Sequence, residues 1–370
     1  MGQTDRSGCG WLMAVAMGLA GLGIVGRGHA DAPSRVLPKR MDRATIKAID
    51  RGLNYLSKTQ RRDGSWLNQG GYGSHPEVMT SLSGLGLMAG GSTPQSGPYA
   101  KNVRRAMRYI IRIGENNSNG YLCGTSGQLM YSHGFSMLFL ATCYGCEADE
   151  ETEKRLKKVL DKAVKMTGIA QSKPRGVSPG GGWYYSPSSG DEGSVTVTQL
   201  QALRACRNAG IRVPREVIDR SVRYLKFCQN GDGGISYCAS SRGSSQPAIS
   251  AAAITCFYSA GLYDRVSGGR SGESRMVDKL VQYCKRHVTP EMGGGYSGYY
   301  FYTQLYMAQA MYTRGGRDWA RYFPALASKL RSMQAPDGSW EGDGIGTTYG
   351  TAIATVILQL PYGYLPIVQR

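Results

Sequence analysis

Two kinds of apolar segment alternate along the chain. In one kind, such as residues 45–58 and 151–165, apolar positions recur at helical spacing on one face and charges fill the other. The second kind, such as 134–144 and 250–259, carries almost no charge on any face, as expected of a helix buried on every side. Apolar runs of this second kind fall at 78–88, 135–144, 195–208, 249–259, 300–312 and 352–360, all without charge except the third, which ends with Arg204 and Arg207. Each closes on a stop signal: Gly90, Gly145, Gly210, Gly261, Gly315 or Pro361. No sustained two-residue alternation is present, so strands are not expected.

Between each charged helix and the uncharged one after it lies a Gly-rich turn with an aromatic residue. The clearest copy runs Arg51-Gly52-Leu53-Asn54-Tyr55-Leu56, then Gln60, then Asp63-Gly64-Ser65-Trp66. Further copies end in Gln229 … Gly233-Gly234 … Tyr237 and in Gln334 … Asp337-Gly338-Ser339-Trp340. Weaker ones end at Gly120-Tyr121, Gly180-Gly181-Gly182-Trp183 and Gly293-Gly294-Gly295-Tyr296. The unit of helix, turn, helix and stop recurs roughly every 50–65 residues, which signifies a repeat architecture. Charged helices outside and uncharged ones inside make an all-α protein, an α6/α6 toroid of about six helix pairs around a central cavity. An open solenoid would need polar end repeats, yet the final run 352–360 is as apolar as the others.

The pattern Arg-Gly-x-x-Tyr-Leu-x-x-x-Gln-x-x-x-Gly-x-Trp at 51–66 resembles the "QW" repeat of squalene and hopene cyclases. The protein prenyltransferase β-subunits share their toroid, and the resemblance extends from about Asp42 to Tyr364. It implies that Gln60, Trp66, Gln229, Tyr237, Gln334 and Trp340 are structural, tying the end of an outer helix to the start of an inner one. A Gln amide can satisfy orphan backbone groups at helix ends while the aromatic ring covers them.

Composition adds an address and a charge. Arg6 precedes an apolar run from Trp11 to Val25 and a small-x-small ending at Gly28-His29-Ala30. Residues 1–30 therefore read as a secretory signal peptide, with an uncleaved membrane anchor as the alternative. A linker at 31–41 and one toroid domain at 42–370 follow. Cleavage removes Arg6, Arg27 and Asp5 and moves the formal charge from +18 to +17. Such a protein, periplasmic or extracellular, meets anionic envelope polymers or lipids, although solvated outer helices also explain the charge. No nucleic-acid motif accompanies it. Eight cysteines remain after cleavage; an even number permits disulfides, and buried thiols serve equally as small apolar residues.

Candidate chemistry gathers where the inner helices begin, because six helix N-termini would face one mouth of the cavity. Their dipoles and N–H groups favour an anion there. Candidate ligand-binding residues at these starts are His75, Tyr131, His133, Tyr299, Tyr300, Tyr302 and Tyr349. Glu77 with Asp191 and Glu192 offers a carboxylate pair for acid–base work, and the same residues are preferred helix caps. The resemblance does not extend to the family's chemistry. The Asp-x-Asp-Asp acid of the cyclases and the Asp-x-Cys zinc motif of the prenyltransferases are both absent from the sequence. No cofactor or metal is expected. The sequence thus points to a cavity that holds an apolar ligand, isoprenoid or lipid included, or a polymeric or peptide ligand. An enzyme with a non-standard carboxylate pair and a basic envelope scaffold remain as alternatives.

Overall fold

The computed structural model describes residues 38–68, 70, 75–124, 129–292 and 299–368. Residues 1–30, most of the 31–41 linker, the 293–295 turn and Tyr296 lie outside them. The outer helices are α1 (Arg43–Thr59), α3 (Ala100–Asn116), α5 (Glu150–Ala170), α7 (Arg215–Phe227), α9 (Ser274–His287) and α11 (Gly316–Met333). The inner ones are α2 (Pro76–Ala89), α4 (Leu129–Cys143), α6 (Gly193–Asn208), α8 (Pro247–Ser259), α10 (Tyr300–Arg314) and α12 (Thr347–Leu358). Each inner helix packs on the next, and α12 returns to α2, so the inner ring is closed. The protein is an α/α toroid, and its described residues form no strand, only isolated bridges.

Charge placement decides which helix goes where. Helix α3 buries Val103, Ala106, Met107, Ile110, Ile111 and Gly114, one stripe at helical spacing, and turns its arginines outward. Helix α4 buries every residue from Ser132 to Cys143. Asp42 and Asp149 cap α1 and α5 by accepting from the N–H groups of Thr45 (2.7 Å) and Thr152 (3.1 Å).

One joint recurs between the helices of a repeat. The Trp66 indole donates to Leu56 O in its own outer helix (2.8 Å), and the Trp66 backbone N–H donates to Thr80 Oγ1 of the inner helix (3.1 Å). Trp183 makes the same pair with Thr167 O and Thr196 Oγ1 (2.8 and 3.0 Å), and Trp340 with Leu330 O and Thr351 Oγ1 (2.6 and 2.9 Å). In the fourth repeat this place belongs to Ile235, whose N–H donates to Ser250 Oγ (2.8 Å). Tyr237 is therefore not the structural aromatic of that repeat: it lies two residues beyond the joint and is partly exposed.

The glutamines act differently from the expectation. Gln60 Nε2 donates to Gly64 O (2.9 Å) in its own turn and to Asn102 O (3.0 Å) in the next outer helix. Gln229 bridges Gly233 O and Met276 O (3.0 and 3.1 Å) in the same way. They tie one outer helix to its neighbour, while the aromatic residue joins outer to inner. Gln334 repeats the bond across the chain's two ends, to Gly338 O and Ala48 O (both 2.9 Å). A close backbone approach accompanies each tie: Gly338 has φ +93°, and a Cβ there would lie 2.7 Å from Arg51 O. Arg51 donates back to Ala335 O (2.6 Å), and Arg105 likewise to Arg61 O. Part of the basic charge on the outer ring thus holds turns together.

The end of the ring formed by the inner-helix C-termini is filled. Two short 3-10 turns, Leu360–Tyr362 and Pro366–Val368, pack there against α6, α10 and α12, with Leu360 and Leu365 buried. A buried ion pair joins Arg314 Nε to Asp264 Oδ2 (2.6 Å), and Tyr258 OH donates to Asp264 Oδ1 (3.0 Å). Gln201 Nε2 donates to Thr255 Oγ1 and to Gln309 Oε1 (2.9 and 3.1 Å), linking α6, α8 and α10. All eight described cysteines are free thiols; Cys143 is buried against Met88, and burial pushes its thiol up.

Candidate functional site

A cavity of ≈ 590 Å³ opens at the opposite end, where the inner helices begin. All six contribute to its wall: His75, Val78 and Met79; Tyr131 and Phe135; Ser194; Ala248 and Ile249; Tyr302; Tyr349 and Ile353. The turns add Tyr185, Tyr237, Gln246, Tyr299 and Ile345. A register rule underlies this choice. Val78, Tyr131, Ser194, Ala248 and Tyr349 each precede by two positions the residue that makes the helix joint, and so share one helix face.

The same register explains His133. Its Nδ1 accepts from the Leu122 N–H (3.1 Å), so it occupies in the second repeat the place that Thr80, Thr196 and Thr351 hold elsewhere. Its Nε2 meets Thr167 Oγ1 at 2.9 Å, and burial lowers its pKa to about 4. His133 is a neutral joint residue and not part of the cavity wall. Tyr300 also turns away, its hydroxyl donating to Pro290 O (2.9 Å). Of the seven candidate ligand-binding residues, His75, Tyr131, Tyr299, Tyr302 and Tyr349 line the cavity.

The three candidate carboxylates do not line it. Glu77 Oε1 accepts from the Gly124 N–H (2.7 Å), and Asp191 accepts from Ser178 Oγ (2.7 Å) and the Ala239 N–H (3.2 Å). Each ties one turn to a neighbour. Glu192 caps α6, accepting from the Val195 and Ser194 N–H groups (2.5 and 2.8 Å), and is fully buried. Desolvation raises its pKa to about 7 against the opposing pull of the bonds from Ser194 and Val195. Asp343, unremarked in the sequence between Gly342 and Gly344, does the same in trans: it accepts from the Phe301 N–H (3.1 Å) at the start of α10. The N-termini expected to attract an external anion are thus partly occupied by the protein's own carboxylates.

The wall itself is phenolic. Burial raises the pKa of Tyr131, Tyr302 and Tyr349 well above the usual phenol value, so all three stay protonated. Tyr131 OH donates to Ser194 Oγ, Ser194 Oγ donates to Glu192 Oε1 (2.7 Å), and Tyr302 OH donates to Ser194 O (3.3 Å). At the rim, Tyr185 and Tyr237 share a hydroxyl hydrogen bond (2.7 Å). The sequence signal for Tyr185 was the run Trp183-Tyr184-Tyr185 after three glycines; for Tyr237 it was the offset from Ile235. No Lys, Arg, Asp or Glu lines the cavity among the described residues, and those residues hold no cluster of three or more His, Cys, Asp and Glu placed for a metal ion.

No family model matches the chain. No curated protein matches its sequence either. Its architecture does match solved structures. One is the type II terpene cyclase MstE from Scytonema with geranylgeranyl dihydroxybenzoate, its substrate (TM-score 0.55, 14% identity, 88% of this chain and 98% of that one). Another is the α-1,6-mannanase GH76A of Salegentibacter sp. HEL1_6 with α-1,6-mannotriose (TM-score 0.60, 12% identity, 87% and 99%). The fold is the α/α toroid shared by these two enzymes. At such identities the likeness is one of fold alone.

Proposed function

We propose that the protein binds one neutral, largely apolar molecule of isoprenoid or lipid type in the cavity, with an oxygen of that molecule against the phenols. The observation that carries this is the lining: aliphatic and aromatic surface around hydroxyl groups, with no Lys or Arg among the described residues to meet a diphosphate or carboxylate. A charged head group would be desolvated there without compensation. The volume falls within the usual range for small-molecule sites, roughly 300–1,000 Å³. The geranylgeranyl compound held by MstE supports the choice of class. A glycan, the ligand of the mannanase, needs many polar partners, and the carboxylates that would act on it are turned into the backbone here.

Native mass spectrometry of the full chain with farnesol, and of the protein carrying its own co-purifying lipids, tests this. One molecule bound per chain is expected, and Ile353→Trp, which fills the cavity, should abolish it. Binding of mannotriose but of no isoprenoid or lipid would overturn the reading in favour of a glycan site.

A further inference from the structure

Behind the cavity wall, the three-residue chain from Tyr131 through Ser194 to Glu192 has a direction, and that direction depends on one proton. Glu192 accepts from two backbone N–H groups, Val195 and Ser194, which can only donate. Its sole hydrogen-bond neighbour able to accept a proton, among the described residues, is Ser194 Oγ (2.7 Å). When Glu192 is ionised, Ser194 donates to it and accepts from Tyr131, whose oxygen then offers only lone pairs to the cavity. When Glu192 is protonated it donates to Ser194, and the serine hydroxyl is released to point at Tyr131, whose proton turns toward the cavity; Tyr185, the other phenol that meets Ser194, keeps Tyr237 as its partner.

We propose that Glu192 and Ser194 are positioning residues that set the Tyr131 hydroxyl as hydrogen-bond donor or acceptor toward the bound molecule, and so decide which oxygen chemistry the cavity takes. This rests on the function proposed above and refines it. In the protonated state the site favours an acceptor-only oxygen, a carbonyl or ether. In the ionised state it favours an alcohol, which can donate. Exchange between the states adds or removes one proton at Glu192, taken from or given to solvent, and turns the Ser194 and Tyr131 hydroxyls end for end. The ligand oxygen neither gains nor loses a proton. The raised pKa of Glu192 brings both states within reach near neutral pH. The groups acting on Glu192 are Asp191 beside it, Tyr131 from α4, Tyr302 from α10, and Tyr185 and Tyr237 from the turns. Every phenol among them has its pKa raised, so Glu192 titrates before any of the phenols.

Calorimetric titration of the full chain with farnesal, farnesol and farnesene at pH 5.5 and 8.5 tests the proposal. Farnesal affinity should fall by about three- to tenfold between the two, the worth of one hydrogen bond, while farnesene stays level. At neutral pH, buffers of different ionisation enthalpy should reveal proton uptake on farnesal binding. Ser194→Ala should remove both effects. Glu192→Gln, a permanent donor, should keep farnesal tight at pH 8.5; if its altered cap prevents folding, Tyr131→Phe supplies the second variant and should also lose the dependence. A farnesal affinity that does not change with pH, beside normal farnesene binding, would overturn the relay. So would a pH dependence surviving Ser194→Ala, which would place its origin outside the relay. Failure of all three probes to bind would instead overturn the function itself.

Discussion

The two ends of the ring meet the same demand, closing a channel between six helices, by opposite means. At the far end the polar groups consume one another: Arg314 with Asp264, Asp264 with Tyr258, Gln201 with Gln309. The chain's last turns then cover them. At the mouth the first helical turns bring in phenols, a serine and aliphatic side chains, and the nearby carboxylates are withdrawn, Glu192 and Asp343 to helix starts and Glu77 and Asp191 to neighbouring turns. What is left is a hollow whose polar groups are uncharged. The repeat is nearly symmetric, so what locates the site is which end received filler.

The sharpest way to break this contrast is at the far end. Asp264→Ala removes one of the two carboxylates paired with the buried Arg314, together with the acceptor of the Tyr258 hydroxyl, and should cost about 3–5 kcal/mol in urea unfolding. Ligand affinity of the folded fraction should not change. A cost below about 1 kcal/mol would show that charge does not hold that end closed.

The next effect is about 3 kcal/mol from each of two buried groups near the mouth, with opposite signs. His133 titrates near 4 when folded against an ordinary 6.5, so its contribution grows as pH rises through that interval and is complete above it. Glu192 titrates near 7 against 4.5, so its contribution is complete below 4.5 and lost as pH rises to 7. In the wild type the two should nearly cancel across their shared window. His133→Gln should leave stability falling with pH there, and Glu192→Gln should leave it rising; urea unfolding at several pH values reads the slopes directly. Equal slopes in both variants would contradict the opposed pair.

A smaller loss, about 2 kcal/mol for two hydrogen bonds, is expected from Gln334→Ala. Thermal unfolding should show the same loss for Gln229→Ala, which makes the matching two bonds. If Gln334→Ala costs much less, the ring is closed more weakly at its seam than elsewhere. Smallest of all is Tyr237→Phe at the rim: stability within about 0.5 kcal/mol of wild type, with farnesol affinity reduced a few-fold by calorimetry.

Much of this was legible in the residues. Alternating charged and uncharged helices gave the double ring, and three tryptophans marked its joints. Where the structure departs from the sequence pattern the cause is shared: residue type does not reveal register. Tyr237 resembled the missing tryptophan, but a small, branched Ile235 fills that place. His133 looked chemical, but counting from the turn makes it the counterpart of Thr80. Glu77, Asp191 and Glu192 stand where either an acid catalyst or a helix cap would stand. Residue type cannot separate these, because an N–H group and a substrate oxygen both attract a carboxylate. Nothing beside Asp343 in the sequence marks it, because its partner, the start of α10, is distant in sequence.

The bonds from Gln334 to Ala48 and from Arg51 to Ala335 also bear on how the molecule comes apart. In an open stack of repeats the terminal units have one neighbour, fray first, and exchange their amide hydrogens fastest. Here the first and last repeats each have two neighbours, joined by the same bonds that link α1 to α3 and α7 to α9. Opening should therefore begin wherever the local packing is poorest and not at the repeats nearest the chain ends. Amide exchange in α1 and α11 should be no faster than in α3 or α7.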